Sequence, residues 1–239
     1  MEVYALKIRI KFKKEDSMKF IGHLDIMRYF QKAMRRADID IAYSEGYSPH
    51  QIMSFASPLG VGITSDGEYI DIEIKNRISS KEAMHKLNEV MVEGIEILSF
   101  RQLPKDSKNA MSIVEAADYE IKFREGYEPK LWEERLKDFF TQEEITVTKK
   151  TKKSEKEVDI KPMIYSLNVS NGKVSMQIAS GSANNLKPEL VMQAFCEFID
   201  FEPREFALLI HRKELYVNIG DESKKEFLAL ENLGEELYE

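Results

Sequence analysis

Within the stretch Val3–Lys13, apolar and polar residues alternate strictly from Leu6 onward. Leu6, Ile8, Ile10 and Phe12 fall on one side and Lys7, Arg9, Lys11 and Lys13 on the other, which predicts a strand with one buried face. The turn-forming stretch KKEDS breaks that rhythm. From about Gly22 to Ala37 the apolar spacing becomes helical, with Leu24, Met27, Phe30 and Met34 on the side turned toward a core. DIAYS reads as a short strand, EGYSPHQIMSFASPLGVG as a long loop, and GEYIDIEIKN as a strand with Ile70, Ile72 and Ile74 on one face. SSKEAMHKLNEVMVEG is an amphipathic helix, with Ser80 as its expected N-cap and Gly94 as its stop. IEILSF closes the series as a strand.

The order is β-α-β-β-α-β, which is the ferredoxin-like arrangement of helices on one face of an antiparallel sheet. The same order recurs after a polar stretch. ADYEIKF is a strand, Pro129 opens a helix carrying Leu131, Trp132, Leu136 and Phe139, and EITVTKK is a strand. MIYSLNVSNGKVSMQIA is a hairpin turning at Asn171-Gly172, Pro188 opens another helix, and FALLIHRKELYVN supplies the last strand. KKTKKSEKE, at Lys149–Glu157, reads as a mobile hairpin tip. The predicted fold is α+β with two tandem ferredoxin-like domains, residues 1–104 and 114–219. A linker at 105–113 joins them and an acidic tail follows at 220–239.

Charge changes this picture locally. The formal net charge of −7 argues against a general nucleic-acid binder. Yet residues Met1–His50 hold ten Lys/Arg against seven Asp/Glu, while Gly220–Glu239 holds seven acids and two lysines. Cys196 is the one cysteine, which excludes an intrachain disulfide, a four-cysteine zinc site and a cysteine-held iron–sulfur cluster. It reads as a small buried thiol. The four histidines show no metal-ligand spacing, so no metal and no cofactor are expected. MEVYALKIRIKFKK is not a secretory leader, and the longest uncharged run, Gly46–Ser65, is broken by Pro49 and Pro58 and cannot span a membrane. A soluble, cytoplasmic protein is expected.

The candidate chemistry lies in the first fifty residues. Arg28, Lys32, Arg35 and Arg36 fall within about a third of the helix circumference, a face able to meet about three or four phosphates. The loop that follows offers Tyr43, Tyr47 and His50 as stacking surfaces and Ser44 as a hydrogen-bonding group, the residue types that hold single-stranded RNA. The strand face Lys7, Arg9, Lys11 and Lys13 faces Tyr69, Asp71 and Glu73 across the sheet, so ion pairing accounts for it without a ligand. His23, near a helix start, and His50 are the two weaker candidates for catalysis.

The run FIGHLDIMRYFQKAMRRADIDIAYSEGYSPHQIMSFASPLGVGITSDGEYIDIEI, with SIVEAADYEI and NNLKPELV further on, resembles the radical-SAM-linked (radical-SAM-associated) bacterial family of unknown function. The chain departs from the usual residue at Gly22, Tyr47, Ser48 and Gln51, where the family has Ser, Phe, Asn and Pro. The resemblance implies a companion of a cobalamin-type radical-SAM enzyme, encoded near ribosomal-protein and RNase genes. It brings no established reaction, and without cluster cysteines this chain is not itself the radical enzyme. Three functions follow. The first is an accessory protein that binds RNA or presents substrate to that enzyme, more a binding module than a catalyst. The second is a metal-independent endoribonuclease using His23. The third is a protein-docking adaptor with no affinity for RNA.

Overall fold

The computed structural model describes residues 5–150, 155–221 and 224–238. The chain forms two compact units, Met1–Glu115 with Glu214–Glu239, and Ala116–Lys213. It is an α+β protein of mostly antiparallel strands with, among the described residues, five α-helices. None of these helices is long and apolar enough to cross a membrane. The tip of the expected hairpin around Lys149–Glu157 lies in part outside the described residues.

In the first unit β1 (Leu6–Lys14) is central. It runs antiparallel to β3 (Thr64–Ile74) and to β4 (Ile95–Gln102), and β2 (Met53–Phe55) pairs with β3. The alternation of β1 sends Ile8, Ile10 and Phe12 into a core with Ile70, Ile72 and Ile74. Two helices, α1 (His23–Arg36) and α2 (Ser80–Val90), bring Ile26, Phe30, Met34, Ala83 and Leu87 to the same core. Leu24, expected on the core side of α1, is 61% exposed. The buried stripe is centred on Ile26 and Phe30, with Ala33 and Met34 beside them, and Leu24 falls well off that line. The N-cap of α2 is Ser79, whose side chain accepts from the Glu82 N–H. Ser80, expected in that place, instead donates to the Phe100 carbonyl. Gly94 has φ +88°, and a Cβ there would sit 2.8 Å from the Glu15 carbonyl oxygen, so the turn after α2 admits only glycine.

Three further segments complete this unit. DIAYS makes only isolated bridges, Ile41 to Ile74 and Tyr43 to Gln51, and the regular second strand begins at Met53. Lys105–Ile113, expected as a linker, ends in a short helix, α3 (Ala110–Ile113), whose first N–H is received by Asp71. Residues of the expected acidic tail form β11 (Phe227–Ala229), which pairs with β10 (Leu208–Asn218), and β12 (Glu235–Glu236), which pairs with β4. Leu230 and Leu237 are buried, so two apolar side chains within an acidic composition hold the segment down.

In the second unit β5 (Val114–Phe123), β9 (Lys173–Ala179) and β8 (Ile164–Ser170) lie side by side, all antiparallel. Asn171 and Gly172 both have positive φ, as the two-residue turn of the β8–β9 hairpin requires. Pro188 opens α5 (Pro188–Phe198), whereas α4 (Trp132–Thr141) begins three residues after Pro129, behind Leu131 in a left-handed conformation. The strand expected at EITVTKK, β6 (Thr146–Lys150), pairs with β7 (Glu155–Asp159) in a two-stranded ladder of its own. Cys196 is buried on α5, and loss of hydration pushes its thiol up to about 11, as expected of an inert packing residue.

Candidate functional site

Arg28, Lys32, Arg35 and Arg36 are all exposed, on the side of α1 opposite its buried stripe. Arg28 pairs with Asp25 at 3.2 Å, with both side chains more than two-thirds exposed. Such a pair is worth little and gives way readily to another anion. Arg36 lies over the Tyr29 ring at 5.5 Å and donates to the Val90 carbonyl at 3.2 Å. Among the described residues Lys32 and Arg35 form no ion pair or hydrogen bond through their side chains.

The segment after α1 folds back on itself. Ser44 N–H donates to the His50 carbonyl at 2.8 Å, and Gly46, with φ +106°, permits the reversal. Ser44 Oγ accepts from the His50 N–H at 3.1 Å and lies 2.8 Å from His50 Nδ1. Nδ1 also lies 3.5 Å from the Ser48 carbonyl, so the partners of the ring are on its Nδ1 side. Tyr47, at the tip, is fully exposed.

Strand alternation then splits this segment by side. Gln51, Met53 and Phe55 turn toward α1: Gln51 Nε2 donates to the Gln31 carbonyl at 3.2 Å and approaches Tyr43 Oη at 3.5 Å, and Phe55 packs on Phe30 and His23. Gln51 Oε1 is buried without a partner. His50, Ile52 and Ser54 face the other way, into a cavity of about 300 Å³ that Lys7, Asp71 and Glu73 also line. The structure therefore brings Ser44 to His50 and Tyr43 to the α1 side, and it does not gather all eight candidate residues in one place.

The β1 cations are satisfied in place. Arg9, 1% exposed, makes a two-pronged contact with Asp71 at 2.7 and 2.9 Å, in the register the alternation implies, and donates to the Leu230 carbonyl. Lys11 binds Glu214 at 2.6 Å and Glu231 at 2.7 Å, and Lys13 binds Glu96 at 2.7 Å. Burial pulls the Lys11 ammonium down, but the hydrogen bonds and charges of Glu214 and Glu231 outweigh it and the net shift is upward. Tyr69 donates to Glu214 at 2.6 Å; burial first, then the Glu214 charge, pushes its phenol far above the usual range. Sequence reasoning found Asp71 but missed Glu214 and Glu231, which stand some two hundred positions away along the chain.

His23 is half-buried, its ring edge-on to Phe55 at 5.1 Å. Loss of hydration lowers its pKa; the Glu68 charge pulls the other way and the Lys14 charge adds to the lowering. Asp25, two residues further on, is engaged with Arg28. His85 pairs with Glu89 on the exposed side of α2. Among the described residues no group of three or more His, Cys, Asp or Glu side chains is placed to hold a metal.

Fold and surface together define an α+β protein of two units that displays a cationic helix and a separate polar cavity. The chain belongs to the family described as an uncharacterized protein conserved in bacteria, DUF2344, whose match spans residues 7–188. No curated protein matches it. Among solved structures it is similar to one described as an unknown protein from Galdieria sulphuraria, at 13% identity over 87% of this chain and 98% of that one. The TM-score of 0.28 is too low to carry an argument.

Proposed function

We propose that this protein is a cytoplasmic accessory module that binds RNA through the outward face of α1, serving a cobalamin-type radical-SAM enzyme in translation-related RNA metabolism. The observation that carries the RNA reading is the state of the α1 cations: four exposed positive groups on one face, two of them without an ion pair or side-chain hydrogen bond among the described residues. Phosphates are what such a face attracts, and Tyr47 stands ready to stack on a base. The link to the radical-SAM enzyme rests on the sequence resemblance. The reading of both units as ferredoxin-like is supported by the strand order β4-β1-β3-β2 in the first and β5-β9-β8 in the second. Catalysis by His23 or His50 gains no support, since the one packs on Phe55 and the other is tied to Ser44.

A fluorescence-anisotropy titration with a labelled single-stranded oligoribonucleotide tests the reading. Binding is expected at about 50 mM salt, weakening as salt rises; the triple variant Arg28→Ala/Lys32→Ala/Arg35→Ala loses about two units of the log–log salt slope, near 0.7 per phosphate contact. Equal binding by the variant, or no binding by the natural sequence, overturns it. The adaptor reading has one observation in its favour: Phe20, Leu24 and Val61 are 64%, 61% and 64% exposed. It predicts co-purification with the enzyme and no anisotropy change with RNA.

A further inference from the structure

The cavity on the far side of the hairpin from α1 is independent of the cationic helix. Its volume, about 300 Å³, is at the small end of ligand pockets. One wall is the sheet, with Lys7 from β1, Glu73 from β3 and Ser54 from β2; the other is the Leu103–Asn109 segment, with His50 at the rim. This second wall is fastened rather than loosely laid. Lys7 Nζ donates to the Ser107 carbonyl at 3.0 Å, Ser54 Oγ to Asn109 Oδ1 at 3.2 Å, and the Ala110 N–H to Asp71 at 2.7 Å. The site is thus preorganised.

What its polar groups have left over defines a ligand. Asp71 is spent, with both oxygens on Arg9 and one also on Ala110. Glu73 has no ion pair among the described residues, although Lys7 is directly opposite it in the ladder. Lys7 uses one of its three N–H groups on Ser107, and Lys108 uses none among the described residues. Unused donors on two ammonium groups outnumber the one unused carboxylate. Ile52 and Leu103 supply an apolar wall. The matching molecule has an anionic group with several acceptor oxygens, a hydroxyl donor for a carboxylate, and a flat apolar part. We propose that this cavity binds a nucleoside monophosphate unit, with the phosphate on Lys7 and Lys108, a ribose hydroxyl on Glu73 and the base against Ile52 and Leu103. The unit is either a free nucleotide or the phosphorylated end of an RNA chain.

Isothermal titration calorimetry of the full chain tests this with AMP, GMP, CMP and UMP, a 5′-phosphorylated trinucleotide, the unphosphorylated nucleosides and inorganic phosphate. Saturable binding of at least one monophosphate or of the trinucleotide is expected, and the tighter of the two identifies the source. Lys108→Ala, on an exposed side chain that cannot perturb folding, weakens it about tenfold or more, the worth of one charge-assisted bond. Glu73→Gln weakens the nucleotide but leaves inorganic phosphate unchanged. The Arg28→Ala/Lys32→Ala/Arg35→Ala variant keeps full monophosphate affinity, which separates this site from the RNA surface of α1. No saturable binding, nucleosides binding as well as monophosphates, or affinity unmoved in both Lys108→Ala and Glu73→Gln overturns the proposal.

Discussion

Within the first thirty-six residues β1 carries five cations and α1 four, and the molecule treats the two sets oppositely. On β1, each is engaged: Lys7 with Ser107, Arg9 with Asp71 and Leu230, Lys11 with Glu214 and Glu231, Lys13 with Glu96, Lys14 with the Ile21 carbonyl. On α1, Arg28 holds an exposed aspartate, Arg36 a backbone carbonyl, and Lys32 and Arg35 nothing among the described residues. Both sets look alike as a run of basic letters. The difference is partner supply, and it is nonlocal: half of the carboxylates on β1 come from the other end of the chain. A basic stretch becomes a candidate interface only after the fold has spent the acids it has.

The sharpest way to break this contrast is Asp71→Ala. It leaves the Arg9 guanidinium, 1% exposed, facing the Leu230 carbonyl without its carboxylate. Removing one partner of a buried pair costs about 3–5 kcal/mol. Lys32→Ala, at an exposed site, is expected within about 0.5 kcal/mol of the natural sequence. Urea denaturation followed by circular dichroism measures both, and similar midpoints for the two variants mean that the β1 face is not an ion-paired core.

Alkali attacks the same network next most strongly. The Tyr69 phenol is held above its unfolded pKa of 10.0, so its contribution is complete below that value and drains away as pH rises past it. Lys11, raised above 10.5, acts in the same direction. Stability should therefore fall from about pH 10 upward, with a flatter profile in Tyr69→Phe, even though that variant starts lower at neutral pH because Glu214 loses a donor. Parallel alkaline profiles for the two proteins contradict the assignment. At the acid end the sign reverses. His23, depressed by burial, supports folding above its unfolded value of 6.5 and loses that support as pH falls through it. His23→Gln should lose less stability than the natural sequence between pH 7 and 5, by an amount smaller than either effect above; an identical acid limb shows that His23 is hydrated alike in both states.

Legibility followed the range of the interaction. The alternation of β1 carried the Arg9–Asp71 register, the Asn171-Gly172 pair carried the β8–β9 turn, and the apolar spacing of α1 carried its outward basic face. Glu214, Glu231 and Leu230 were invisible, because nothing in the pattern near Gly220 says where that segment docks, and acid-rich composition masked its buried leucines. The side chosen by His50 was readable and overlooked. Phe55 is an evident core residue, and counting back in twos puts Met53 and Gln51 on its side and Ser54, Ile52 and His50 on the other. That count would have separated His50 from Tyr43 before any coordinates.

The smallest expected effect says most about why the α1 cations are there. Lys32 has Arg28 four residues before it, and Arg35 and Arg36 three and four residues after, so it stands in three like-charge pairs on one helical face. Each such pair costs about 0.2–0.5 kcal/mol at low salt. Arg35 and Arg36 recover part of this by lying in the last turn, where the helix dipole favours cations; Lys32, in mid-helix, recovers none. Alanine has the higher helix propensity besides. Lys32→Ala should therefore stabilise the protein slightly, by about 0.5 kcal/mol, with a gain that shrinks as salt screens the repulsion. Thermal denaturation across a salt series measures this. A clear loss of stability instead means that Lys32 has a structural partner, and the β1 and α1 cations are then not different in kind. A small gain shows a residue that the fold tolerates rather than uses, and such a residue has to be explained by something that binds it.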